Sequence, residues 1–130
     1  MQILGNGVDI VENYRIKKAI RKKSFVKRIY SEYEIKEAKK FKNKASFFAK
    51  RFAAKEAFVK SIGTGFRNGI NFSDIYVKNN PKSGKPIICI KNNVKKLLKR
   101  KFKNKKYKFF LSLADEKKHS IAFVIINENN

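Results

Sequence analysis

The chain has 130 residues, of which 42% are apolar and 33% are charged, and its formal net charge at pH 7 is +23. This length predicts a single domain over residues 1–130 and excludes a second hydrophobic core. The one cysteine, Cys89, excludes an internal disulfide. The lack of a signal peptide, or of an apolar run of about 18 residues, predicts a cytoplasmic protein without a membrane span.

The positive charge predicts an acidic partner, because a strongly basic protein attracts acidic molecules over long distances. Nucleic acid is the first candidate on charge alone. However, the aromatic residues fall mostly at apolar positions of the predicted helices and strands, which suits a core better than a base-stacking surface. An AT-rich coding bias also raises lysine content, so part of the charge need not be functional. Charge by itself therefore leaves an acidic protein and a nucleic acid as alternatives.

The first predicted element is a strand over residues 3–11, in which Val8, Ile10 and Val11 form a short apolar run that we expect to be buried. Asp9 interrupts this run. A carboxylate among apolar strand residues either lies at an exposed edge or binds something, because burying an unpaired charge is costly. Asp9 is therefore a candidate ligand.

Helical segments are predicted to follow this strand. The first covers residues 12–22, and a short turn is predicted over residues 24–29. The sequence SEYE at residues 31–34 is a capping-box pattern, and it predicts a helix that ends near residue 40. The basic residues of the first helix include Arg15, Arg21 and Lys22.

The segment RFAAKEAFVKSIGTG, residues 51–65, lies mostly in the longest predicted helix, which we place at residues 44–62. Gly63 stands where a C-cap glycine is expected. Thr64 and Gly65 continue a loop whose backbone can approach a ligand closely. The helix is therefore predicted to end at a binding loop.

Three charged residues of this helix are placed unusually. On a helical wheel at about 100° per residue, Arg51, Lys55 and Glu56 fall on or beside the apolar stripe. Charged side chains are rarely buried unless they are paired or bind a ligand. Glu56 and Lys60 alone would be an ordinary stabilising pair, but three charges on the apolar side favour a site.

Asp9 and Glu56 both lie in apolar segments, although Asp and Glu together number only 10 in the chain. Two carboxylates together with substrate phosphates are the usual ligands of Mg²⁺, a hard cation that keeps several of its waters. The pair therefore predicts a Mg²⁺ site next to a phosphate-containing substrate.

The second half of the chain is predicted to consist mainly of strands. Residues 75–78 and 86–91 form two of them, joined by the turn sequence NNPKSGK. Residues 92–102 predict a short basic helix or a loop, and residues 107–114 and 119–126 predict a closing hairpin. The fold class is therefore α+β, with helices around a long central helix in the N-terminal half and antiparallel strands in the C-terminal half.

The two remaining reactive side chains are predicted to be structural. His119 is the only histidine and has no pattern of catalytic partners around it. Cys89 alternates with apolar strand residues and is predicted to be a small core residue. Neither side chain supports nucleophilic catalysis by the chain itself.

Two segments, GNGVDIVENYRI at residues 5–16 and RFAAKEAFVKSIGTG, together resemble the signatures of the holo-[acyl-carrier-protein] synthases, the short bacterial type of 4′-phosphopantetheinyl transferase. That family has a glycine-rich strand ending in an aspartate, a helix with an arginine, and later FAAKEA followed by GTG. The resemblance continues through KSGKP at residues 82–86 and LSLADEKKHSIAFVII at residues 111–126. It departs at Asn6, where the family commonly has an apolar residue, and at Ala114, where a polar residue is frequent.

The resemblance implies an enzyme that transfers 4′-phosphopantetheine from coenzyme A to a serine of an acidic apo acyl carrier protein, in fatty acid biosynthesis. Adenosine 3′,5′-bisphosphate is the implied second product. Asp9 and Glu56 would bind Mg²⁺ and Lys60 would stabilise charge on the leaving group, which makes these three the catalytic residues. The serine proton would go to Glu56 or to a metal-bound water. A homotrimer is also implied, with active sites at subunit interfaces and the final strand IAFVII as a contact surface.

The resemblance also implies two groups of binding residues. Those implied for coenzyme A are Arg51, Lys55, Lys60, Gly63, Thr64, Gly65, Gly84, Lys85 and Pro86; for Arg51 and Lys55 the alternative is that they pair with the two carboxylates. Those implied for the carrier protein are Arg15, Arg21 and Lys22. The alternative function is a basic nucleic-acid-binding module without enzymatic activity. It is less favoured, and nucleic acid is not the expected partner, because a protein that binds the phosphate backbone gains nothing from buried carboxylates.

Overall fold

The computed structural model describes residues 2–129. In chain order its elements are β1 (Ile3–Glu12), α1 (Asn13–Ala19), α2 (Lys23–Ile29), α3 (Glu32–Ala38), α4 (Lys44–Ile62), a 3₁₀ turn (Phe72–Asp74), β2 (Ile75–Asn79), β3 (Pro86–Ile90), α5 (Asn92–Lys101), β4 (Tyr107–Asp115) and β5 (His119–Glu128). The strands β1, β5 and β4 form an antiparallel sheet in that order, and β2 pairs with β3 in a separate antiparallel hairpin. This mixture of helices and antiparallel strands confirms the predicted α+β class, whereas the trimer stays a prediction.

The helix predicted over residues 12–22 is shorter than expected and ends at Ala19. Lys22 has an extended backbone, with φ −92° and ψ 117°, and it starts the separate helix α2. The predicted C-terminal end was wrong because the same pattern of buried apolar and exposed basic residues continues through both helices, so the sequence shows no break between them. Ile16 of the first and Ile29 of the second are both buried in the core.

Helix α4 is the central element, and it begins and ends where local signals predict. At its start the Asn43 side chain accepts a hydrogen bond of 3.0 Å from the backbone N–H of Ser46, and at its end Gly63 has a left-handed φ of 74°. The helix packs against β1 and β5. Neither α4 nor any other helix within residues 2–129 is long and apolar enough to cross a membrane.

Strand β1 lies close to α4 because two glycines face the helix. A Cβ atom on Gly5 would lie 2.0 Å from the carbonyl oxygen of Ser61, and one on Gly7 would lie 2.1 Å from that of Ala57. Both distances are far inside van der Waals contact, so no larger residue fits without moving the strand. Because alternate residues share a face, this packing also turns Asp9 toward α4.

The predicted burial of Val8 and Ile10 was wrong, whereas Val11 is buried as expected. The side chains of Val8 and Ile10 are 54% and 59% exposed, because the glycine face of the strand is the one turned to α4. Their face continues across the paired strands and is mostly apolar, although Asn6 and Ser112 also lie on it. We call its large apolar part the outer sheet face, and it consists of Val8, Ile10, Phe110, Ile121, Phe123 and Ile125.

Candidate active site

Asp9, Glu56 and Lys60 meet where β1 packs against α4. The Lys60 Nζ lies 3.0 Å from Asp9 Oδ1 and 3.1 Å from the carbonyl oxygen of Val8. Glu56 is half-buried one turn before Lys60 on the same helix. Burial raises the pKa of Glu56 and repulsion from the Asp9 carboxylate raises it further, while Lys60 and Arg15 lower it. The structure therefore brings together the three residues predicted to be catalytic.

The Asp9–Glu56 pair fits a hard divalent cation. Burial raises the pKa of Glu56 and repulsion from the Asp9 carboxylate adds to that effect, and a shared cation relieves the repulsion. Residues 2–129 contain no cluster of three or more His, Cys, Asp or Glu side chains that could hold a metal. Two protein ligands leave coordination positions for water and substrate phosphates, as Mg²⁺ prefers.

A cleft of about 460 Å³ opens beside Glu56. One of its walls is aromatic: the ring centroids of Phe52 and Phe72 are 5.5 Å apart, and those of Phe66 and Phe72 are 3.6 Å apart. The Arg15 guanidinium lies 6.0 Å from the centre of the Phe52 ring. The lining also includes Phe25, Arg28 and Asn71. The cleft therefore offers apolar surface and positive charge next to the carboxylates.

Sequence reasoning missed most of the aromatic wall of this cleft. A phenylalanine at an apolar position predicts core burial equally well, so nothing in the local pattern separated Phe25, Phe66 and Phe72 from core residues. Arg28 was also missed, because it is one of many basic residues in the first half of the chain. The one available signal was the GTG loop, which directly precedes Phe66.

The GTG loop follows α4 directly. Gly63 and Gly65 both have left-handed φ angles, 74° and 61°, and a Cβ atom on either would meet no described atom within 4 Å. The Thr64 hydroxyl donates a hydrogen bond of 2.9 Å to the Gly65 carbonyl oxygen. The loop therefore leaves open space beside its glycines, next to the cleft that Phe66 lines.

Lys55 does not face this cleft, and its predicted contact with coenzyme A is wrong. Its side chain is fully buried, and its Nζ donates hydrogen bonds to Glu34 Oε1 at 2.7 Å, to the Phe72 carbonyl oxygen at 3.1 Å and to the Ile75 carbonyl oxygen. Burial lowers the pKa of Lys55, and the Glu34 carboxylate opposes that effect. A buried ammonium with three partners cannot reach a substrate phosphate, so Lys55 joins α3 to α4 and β2 instead.

Glu34 is the partner of Lys55 that sequence reasoning did not find. The predicted capping box is confirmed: the Glu34 N–H donates to Ser31 Oγ at 3.1 Å, and Glu34 Oε1 accepts from the Ser31 N–H at 3.0 Å. Glu34 Oε2 also accepts a hydrogen bond of 3.0 Å from the Val77 N–H. The capping pattern explains one role of this carboxylate, but it contains no signal for a buried ion pair.

Several residues predicted to bind coenzyme A line a second cleft, of about 530 Å³. They are Arg51, Gly84, Lys85 and Pro86. Arg51 is 4% exposed, and its guanidinium donates to Asn79 Oδ1 at 2.9 Å and to the Phe47 carbonyl oxygen at 3.2 Å. Its Nε is buried without a partner among the described residues. The guanidinium therefore lies at the wall of this cleft and is held there by protein partners, which leaves it as a positive charge beside the cleft.

The second cleft is separate from the carboxylate pair within one chain. Arg51 and Glu56 are five residues apart on α4, which turns their side chains roughly 140° away from each other. Asp9, Glu56 and Lys60 do not line this cleft. Apart from the buried Lys55, the predicted coenzyme A residues therefore fall into two groups, one at the carboxylate pair and GTG loop and one at the second cleft.

The residues predicted to bind the carrier protein are exposed on and after α1. Arg15 and Lys22 line a groove of about 570 Å³ together with Phe25 and Arg28, whereas Arg21 does not line it. Arg15, Phe25 and Arg28 also line the cleft beside Glu56. An acidic surface seated in this basic groove would therefore lie next to the carboxylate pair.

His119 and Cys89 lie elsewhere in the fold. The His119 Nδ1 is 2.8 Å from Glu116 Oε1 in the closing hairpin. The Cys89 thiol is free and half-buried, and burial raises its pKa. Neither residue lines the cleft beside Glu56.

Comparison with known proteins decides the family. The family model for the 4′-phosphopantetheinyl transferase superfamily matches residues 5–124. The chain belongs to this superfamily. A holo-[acyl-carrier-protein] synthase of Pelagibacter ubique (strain HTCC1062) is 55% identical over 128 residues, which cover 98% of this chain and 99% of the relative. The resemblance stated from the two signatures is confirmed, so the chain is an enzyme of this transferase family.

Solved structures of phosphopantetheinyl transferases share the fold along the whole chain. The holo-[acyl-carrier-protein] synthase of Neisseria meningitidis is 32% identical, with a TM-score of 0.87, over 98% of this chain and 100% of that one. The enzyme of Bacillus anthracis str. Ames, solved in complex with coenzyme A (3′,5′-ADP), is 34% identical, with a TM-score of 0.80, over 99% and 100%. The alternative of a nucleic-acid-binding module without enzymatic activity is therefore wrong.

Proposed function

We propose that this phosphopantetheinyl transferase moves 4′-phosphopantetheine from coenzyme A to a serine of an apo acyl carrier protein. Mg²⁺ is its cofactor and adenosine 3′,5′-bisphosphate its second product. The observation that carries the proposal is the meeting of β1 and α4 at three side chains: the Lys60 Nζ lies 3.0 Å from Asp9 Oδ1, and Glu56, one turn before Lys60, lines a cleft together with Arg15. The name of the Pelagibacter relative supports the carrier protein as acceptor, and the Bacillus anthracis complex supports coenzyme A as donor. A role in fatty acid biosynthesis and a cytoplasmic location stay predictions.

The proposed reaction needs no nucleophile from the enzyme. The serine oxygen of the carrier protein attacks the phosphorus that bears the pantetheine group, and the bond from that phosphorus to the bridging oxygen breaks. The adenosine bisphosphate leaves with the electron pair, and the serine loses its proton to a base. The enzyme therefore contributes positioning and charge stabilisation.

Three side chains provide the positioning and the charge stabilisation. Asp9 and Glu56 would hold Mg²⁺ against the pyrophosphate, where the cation neutralises charge on the phosphate oxygens when bound. Lys60, one turn after Glu56, can donate to an oxygen of the leaving group. The serine proton would go to Glu56 or to a metal-bound water, and Glu56 is the one of these two bases that the chain itself supplies.

The proposal includes a homotrimer, and the outer sheet face supports it. Val8, Ile10 and Phe123 are 54%, 59% and 41% exposed on this apolar face of a strongly basic protein, and such patches mark interaction surfaces. In a trimer, the second cleft of one subunit can lie beside the carboxylate pair of its neighbour, which would unite the two groups of coenzyme A residues. Sedimentation equilibrium measures the mass in solution, and a monomer at micromolar concentration would contradict the trimer.

Intact-mass measurement of an apo acyl carrier protein tests the proposed function directly. After incubation with the enzyme, coenzyme A and Mg²⁺, we expect the carrier protein to gain the mass of one phosphopantetheine group. The gain should disappear with EDTA, and also with a carrier protein whose acceptor serine is replaced by alanine. An unchanged carrier mass in the presence of folded enzyme and both substrates contradicts the proposal.

Arg15→Glu is expected to lower kcat/KM for the carrier protein by about tenfold or more, because close ion pairs with an acidic partner both steer and fix docking. The KM for coenzyme A should not change. The loss should shrink as salt rises, since salt already weakens the wild-type encounter. Steady-state kinetics with each substrate varied in turn are the measurement. Arg100→Glu makes the same charge change on the exposed face of α5 and is the control. If Arg15→Glu lowers kcat/KM equally for the carrier protein and for coenzyme A, Arg15 belongs to the nucleotide site instead.

A further inference from the structure

Lys60 forms its contacts at the carboxylate proposed to hold the metal. Its ammonium donates to Asp9 Oδ1 at 3.0 Å and to the carbonyl oxygen of Val8 at 3.1 Å. The Lys60 side chain is 54% exposed, whereas that of Asp9 is 16% exposed. Lys60 therefore reaches from solvent to a carboxylate that is mostly shielded, and it supplies the positive charge beside it.

The ammonium and a divalent cation compete for the same carboxylate. Both are attracted to Asp9, and they repel each other at close range because both are positive. The Lys60 side of this ion pair is exposed and its stem is long and flexible, so the ammonium can exchange one anionic partner for another. Phosphate oxygens of a bound substrate would offer the displaced ammonium a second anionic partner.

We infer that Lys60 is a tethered cation that exchanges Asp9 for a substrate phosphate. In the free enzyme it neutralises Asp9 and so opposes metal binding. When Mg²⁺ takes Asp9, Lys60 turns to the phosphate on which negative charge increases during transfer. The inference rests on the proposed function and adds a consequence to it: one residue weakens metal binding to the free enzyme and yet speeds the reaction.

Lys60→Met tests this exchange, because methionine keeps most of the side-chain length and removes the charge. Binding of Mn²⁺ to the free enzyme, without coenzyme A, is measured by electron paramagnetic resonance. We expect the Kd of the variant for Mn²⁺ to fall about three- to tenfold, the range expected for removing a weak competing ion pair. With saturating metal and coenzyme A, transfer by the same variant should slow by about tenfold or more. Opposite changes in affinity and rate are the expected result.

Two further variants separate charge exchange from an effect on folding. Lys60→Arg keeps the charge, so its Kd for Mn²⁺ should match that of the wild type. Lys40→Met removes an exposed lysine that lies 2.9 Å from Glu37 on α3, and it should change neither metal affinity nor rate. Thermal melts of all variants check that each is folded before its metal affinity is compared.

The Mn²⁺ affinities of the variants distinguish a failure of this inference from a failure of the proposed function on which it rests. If Lys60→Met binds Mn²⁺ no more tightly than the wild type while Asp9→Asn binds it more weakly, the exchange is wrong and the metal site stands. If Asp9→Asn binds Mn²⁺ as tightly as the wild type, both the metal assignment and the exchange are wrong. The intact-mass assay then decides separately whether transfer itself occurs.

Discussion

Replacing Glu56 with glutamine is expected to slow phosphopantetheine transfer by about three orders of magnitude while leaving the protein folded. Glutamine keeps the shape of the side chain and removes the charge that would hold Mg²⁺ together with Asp9. Burial and the Asp9 carboxylate both destabilise the charged form of Glu56, as its raised pKa shows, so removing that charge costs the fold little. The measurement is the single-turnover rate of carrier-protein modification, recorded by intact mass beside a thermal melt.

A second variant at the proposed metal site and a control variant test the same assignment. Asp9→Asn removes the other carboxylate and should slow transfer to a similar extent. Glu32→Gln changes an exposed carboxylate at the start of α3 and should transfer at the wild-type rate. A Glu56→Gln variant that transfers close to the wild-type rate in the presence of Mg²⁺ would show that the metal assignment is wrong.

Replacing Lys55 with methionine is expected to lower the free energy of unfolding by about 3–5 kcal/mol, although Lys55 is the neighbour of Glu56 in the chain. The variant leaves the fully buried Glu34 carboxylate without its cation, and it also removes a donor from the Phe72 and Ile75 carbonyl oxygens. Both losses leave buried polar groups without partners. Urea unfolding followed by circular dichroism measures the loss.

A double-mutant cycle identifies the cause of this destabilisation. Lys55→Met with Glu34→Gln should be less destabilised than the sum of the two single variants, because the second change removes the orphaned charge. Lys36→Met, at an exposed position of α3, should change the free energy of unfolding by less than about 0.5 kcal/mol. A Lys55→Met variant with wild-type stability and weakened coenzyme A binding would instead support the phosphate contact that the family resemblance implied.

The sequence by itself determined the span of α4, residues 44–62, and the start of α3. Gly63 marked the end of α4 because a C-cap depends on backbone angles within about one turn. Ser31 marked the start of α3 because a capping box likewise depends on hydrogen bonds within about one turn. The sequence also indicated Asp9 and Glu56 as a candidate pair, because a carboxylate in an apolar segment needs a partner whatever the fold.

Only the tertiary structure decided which partner each charged residue meets. Lys55 and Glu56 are adjacent and both lie among apolar residues, yet Glu56 faces Asp9 on β1 while Lys55 pairs with Glu34 on α3. About 100° of helix rotation separates the two side chains. A helical wheel shows this angle, but it contains no information about which element packs on each side of the helix.

Strand β1 shows the same division between local pattern and long-range packing. The apolar run of Val8, Ile10 and Val11 predicted burial of all three, but only Val11, on the face of Gly5 and Gly7, is buried. The face of Gly5 and Gly7 is buried because only backbone without Cβ atoms can approach the carbonyl oxygens of α4 so closely. That contact joins residues that lie far apart in the chain. Local periodicity therefore determined which segments form helices and strands, and the packing of β1 against α4 decided which residues form the candidate active site.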